Sequence, residues 1–70
     1  MHVRAKLFEY VIVWLPTEQQ EKEGQKAQIV IDLTRLLAKD ITTAQTIAAR
    51  AIPEQYMNQL EQIEVLFRAS

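Results

Sequence analysis

The chain has no cysteine, a single glycine (Gly24), two prolines (Pro16 and Pro53), one histidine (His2) and no surplus of charge of either sign. Without cysteine there is no disulfide to staple a small fold and no mark of a redox compartment. One glycine excludes a glycine-rich phosphate cradle. A lone His2 near the terminus, with no cysteine beside it, supplies neither a zinc cluster nor a supported base for a nucleophile. Glu18, Glu21 and Glu23 are interleaved with Lys22 and Lys26, which reads as a solvated charge run rather than a cation site. Eight Lys and Arg against nine Asp and Glu leave a net charge of −1, so the electrostatic footprint of a nucleic-acid or anionic-membrane partner is missing. The longest apolar run, Tyr10 to Leu15, is six residues, against about 18 for a bilayer span. The expectation is therefore a non-enzymatic chain with no cofactor, no metal, no small-molecule substrate and no membrane partner.

What remains is globular. Leu, Ile, Val and Phe make up 21 of 70 residues, too many for a disordered segment and enough for one small domain. The basic start, Met1 to Lys6, followed by apolar residues has the outline of a signal peptide. Glu9 interrupts it, Pro16 ends it and no small-residue cleavage site follows, so the stretch is expected to belong to the domain.

The β-branched and aromatic residues from Val3 to Leu15 predict a first strand. Pro16 stops it, and Thr17 to Lys26 reads as a polar loop, with Thr17 and Gln20 spaced to cap one helical turn but nothing apolar to hold that turn down. Alternation of Ile29, Ile31, Leu33 and Leu37 predicts a second strand over Ile29 to Ala38. The period then changes: Ala44, Ile47, Ala48, Ala51 and Ile52 recur at the spacing of an amphipathic helix, with Asp40 as N-cap or, two residues later, Thr42 with Gln45 as a capping box. Pro53 ends that helix and can open a short turn through Glu54 to Leu60. Ile63, Val65 and Phe67 alternate with Glu64 and Arg68 as a third strand. The fold class expected is α+β: a three-stranded sheet of β-β-α-β order with one helix on one face, and spatial order 2-1-3 because the first strand is apolar on both sides.

One helix cannot cover two faces. If Val3, Leu7, Val11 and Val13 meet the helix together with Ile31, Leu33, Val65 and Phe67, then Phe8, Tyr10, Ile12 and Trp14 lie bare on the back of the sheet, beside Val30, Leu36 and Leu66. A bare aromatic patch of that size marks a protein interface, with a second copy or another protein as the partner. Two arrangements would close it instead: the 17–26 loop or the C-terminus folding back, or a β-bulge that swaps which positions point inward. A rival function uses the same rings. Phe8, Tyr10 and Trp14 could stack bases while Arg4, Lys6 and Arg68 meet phosphates, as in a small nucleic-acid-binding regulator, although the charge balance argues against it. A third is strand addition at an edge of the sheet by an inhibitor or adaptor.

Several stretches carry a resemblance: Lys6-Leu7-Phe8-Glu9-Tyr10, Leu37-Ala38-Lys39-Asp40, Ala48-Ala49-Arg50-Ala51-Ile52-Pro53-Glu54-Gln55-Tyr56, and Leu60 to Val65. Together the chain resembles a family of small proteins encoded by tailed bacteriophages. It departs from that pattern at its end, Arg68-Ala69-Ser70 in place of Arg-Pro-Phe, and at Ala51, where an acidic residue is usual. The resemblance implies a virion-associated accessory or capsid-cementing role, in the virion if it holds and otherwise in the cytoplasm; it supplies no site.

Overall fold

The structure is a computed structural model describing residues 4–70, so Val3 and His2 lie outside the described residues. Three strands form one sheet: β1 (Lys6–Trp14), β2 (Gln28–Ala38) and β3 (Ile63–Ala69). Their order is β2-β1-β3, with β1 antiparallel to both neighbours, so the α+β class and the 2-1-3 order stand as expected.

The polar stretch after Pro16 is not wholly a loop, contrary to expectation. It holds a five-residue helix, α1 (Glu18–Lys22), with Thr17 as N-cap. The Gln20 amide donates to Thr17 Oγ1 and the Thr17 amide donates back to Gln20 Oε1, at 3.2 and 2.8 Å. What holds this turn down is polar rather than apolar: Gln62 Nε2 donates to Leu15 O at 3.0 Å and to Gln20 Oε1 at 2.6 Å. Gly24, at φ 92°, turns the chain out of α1, a backbone state that costs glycine little.

Helix α2 (Ile41–Arg50) resolves the choice of cap: Asp40 accepts from the Thr43 amide at 2.8 Å. Beyond α2, Pro53 opens a 3₁₀ segment, Glu54–Gln62, kinked at Gln59 (φ −131°, ψ 31°), which leads directly into β3.

The core lies between the sheet and α2. Ala44 and Ala48 are fully enclosed and meet Phe8, Ala38, Tyr10 and Ile12, flanked by Leu36, Val65 and Phe67. Alanine at these positions lets the helix backbone approach the sheet, so the large side chains of β1 fill the space that larger helix residues would otherwise take. Phe8 stacks on Phe67 with ring centroids 5.4 Å apart. Trp14 Nε1 donates to Gln59 Oε1 at 3.0 Å, satisfying its one polar atom.

This reverses the expected sides of β1. Phe8, Tyr10, Ile12 and Trp14 are the buried set, and the same polypeptide covers them. Val30 and Leu36, also assigned to the bare surface, pack against that core. Of the seven residues expected to form the bare face, only Leu66 lies on the open side. The reason is in the other alternation: Glu9 is the fourth member of the Leu7, Val11, Val13 set, and its neighbours across the ladder are Arg35 and Arg68. Putting that set under α2 would bury two arginines that now stand in solvent, whereas the one charge in the other alternation, Lys6, sits at the exposed end of β1.

Strand β2 holds the bulges. Its register against β1 shifts between Tyr10 and Ile12 and again between Ile12 and Val13, so Ile31 packs inward while Ile29 and Leu33 are exposed. The simple alternation read from Ile29, Ile31 and Leu33 is thereby broken.

Candidate interaction face

The side of the sheet away from α2 is built from alternate residues of each strand: Leu7, Glu9, Val11 and Val13 on β1, Leu37, Arg35, Leu33 and Ile29 on β2, and Arg68, Leu66 and Glu64 on β3. Cross-strand pairing places Leu7 beside Leu37, Val11 beside Leu66, and Val13 between Ile29 and Glu64. These apolar side chains are not covered. Ile29 is 65% and Leu37 64% exposed, and Leu33 and Leu66 are each about half exposed at 50% and 49%. Neither α1 nor the C-terminus folds over them.

Glu9 stands in the middle of this face and is only 6% exposed. Its two oxygens face opposite ways, Oε2 toward Arg35 Nε at 3.7 Å and Oε1 toward Arg68 Nη2 at 3.4 Å. Both arginine side chains stand mostly in solvent while the carboxylate between them is nearly closed off, an arrangement open to long amphipathic side chains. The three charges sum to +1, and Glu64 lies at the far end of β3 on the same side. An open depression beside the ion pairs is lined by Glu9, Val11, Leu33, Leu66 and Arg68.

The residues that could carry chemistry do not converge. Among the described residues there is no group of three or more His, Cys, Asp or Glu able to hold a metal ion, and no helix is long and apolar enough to cross a membrane. Phe8, Tyr10 and Trp14, which base stacking would need, are enclosed. Arg68 faces Glu9, a residue that no sequence motif singles out; the signal that could have found it is its odd position on β1, opposite two arginines.

No protein-family model, curated protein or solved structure matches the chain.

Proposed function

We propose that this chain is a non-enzymatic interaction module that docks the open face of its sheet onto a protein surface, as an accessory or cementing component of a phage particle would. The observation that carries the reading is an apolar sheet face left bare in a molecule too thin to cover it. The principal extents are 55 × 21 × 14 Å and the radius of gyration is 14.4 Å, against about 11 Å for a compact chain of this length. One layer of helix on one layer of sheet leaves the second sheet face in water; to one side of the Arg35–Glu9–Arg68 row, Val11, Val13, Ile29, Leu33 and Leu66 form an apolar patch, and patches of that kind are interaction sites in stable proteins. The stretches that resemble tailed-phage proteins agree with a structural subunit, and under that resemblance its place is the virion.

The test is a double substitution, Leu33→Gln with Leu66→Gln. Both side chains are half exposed, so the variant should keep its far-UV circular dichroism and, in dilute solution, its unfolding midpoint, while losing the association expected of the unmodified chain by light scattering. Unfolding of the variant, or association that persists undiminished, would overturn the reading.

A further inference from the structure

Resting on the reading of the open face as an interaction surface, we infer that its occupant is a second copy of this chain, stacked face to face about a two-fold axis that crosses the strands at Leu66 and Val11. A face can meet its own copy in two aligned ways, with the two-fold axis along the strands or across them. An axis along the strands would lay β3 over the partner's β2, bringing Arg68 against a second Arg35 at the centre of a dry interface. Like charges in that position oppose association.

An axis across the strands lays β3 on β3 in opposite directions. Glu64 and Arg68 lie on the same side of β3, symmetrically about Leu66 and about 13 Å apart at strand rise. The two-fold therefore sets Glu64 of each copy opposite Arg68 of the other, with Leu66 on Leu66 between them. The surplus positive charge of the Glu9, Arg35 and Arg68 group is met by a carboxylate that has no ion-pair partner of its own among the described residues. Sheets that pack aligned cross at about 30°, which moves these ends apart by only about 3 Å, within reach of both long side chains.

The area suits a reversible dimer. Three strands about 4.8 Å wide, over nine residues rising about 3.4 Å each, present roughly 450 Å² of flat sheet per copy before side-chain relief is added. Two copies then bury roughly 900 Å² or more, near the lower edge of specific interfaces. Monomer and dimer should exchange in the micromolar range.

Sedimentation velocity between about 1 and 500 μM tests this, together with binding of the apolar dye anilinonaphthalene sulfonate. A concentration-dependent rise to twice the 8.1 kDa chain, lost in the Leu33→Gln, Leu66→Gln variant, is the expected result. Glu64→Lys, an exposed change that leaves the core untouched, should raise the dimer dissociation constant at least about tenfold, since it turns two attractions into two repulsions. A dimer indifferent to Glu64→Lys overturns the antiparallel stacking. A monomer at all concentrations whose dye binding vanishes in the double variant overturns self-pairing but leaves the face free for a foreign partner. A monomer that binds no dye overturns both readings.

Discussion

Glu9 is the residue on which the two sides of the sheet divide. A carboxylate this enclosed would be costly alone, and it is held by two arginines whose own charges stay hydrated. Removing the carboxylate therefore costs less than removing its partners. Glu9→Leu should change the unfolding free energy by no more than about 1 kcal/mol, because the freed arginines turn into water and leucine fills the gap. Arg35→Met with Arg68→Met takes away both charges but keeps an apolar stem beside the carboxylate, and should destabilise by on the order of 2 kcal/mol, less than for a fully buried pair because both guanidinium groups are screened. Urea titration followed by Trp14 fluorescence separates the two; equal losses would mean that Glu9 contributes through packing alone. The opposite side is governed by size. Ala48 is fully enclosed against Tyr10 and Ile12, so Ala48→Leu should push α2 off the sheet and cost about 1–3 kcal/mol by overpacking. The same titration measures it, and an unchanged midpoint would show that the helix is not in close contact.

At the scale of elements, α2 begins where its cap dictates. The Thr43 backbone amide, helped by a second hydrogen bond from the same residue, holds the Asp40 carboxyl below its ordinary value of 3.8. A carboxyl lowered on folding stabilises the fold at pH above that ordinary value, and the contribution disappears as pH falls through the lower, folded value. Asp40→Asn keeps a capping oxygen without the titration, so its stability should fall less steeply than that of the unmodified chain below pH 4; parallel acid-unfolding curves would contradict this. The helix spacing, the break at Pro53 and the central position of β1 were readable from the sequence, because each rests on a local signal; the cap was narrowed only to Asp40 or to Thr42 with Gln45, and the Thr43 amide decides for Asp40. The side of β1 that packs was not read from its apolar residues, since both alternations are greasy. The deciding signs were Glu9 among the odd positions, with Arg68 and Glu64 sharing the opposite phase from Val65 and Phe67 on β3. The paired bulges in β2 and the Gln62 bonds that fix α1 left no such trace, because each depends on residues brought together from distant parts of the chain.

The whole molecule is a slab of one sheet and one main helix, and its stability should depend on how much of it there is in solution. Any partner that binds the folded chain and not the unfolded one raises its apparent stability by mass action. For a dimer well above its dissociation constant, a hundredfold rise in concentration adds about 1.4 kcal/mol per chain. At about 4–8 °C per kcal/mol for a domain of this size, that is a visible rise in the melting temperature. Scanning calorimetry at two concentrations a hundredfold apart should therefore show the higher sample melting several degrees later. The Leu33→Gln, Leu66→Gln variant, whose second layer consists only of water, should melt at one temperature at both concentrations. If the unmodified chain does the same, its helix and sheet are sufficient alone, and the bare face contributes nothing to folding through contact with its own kind.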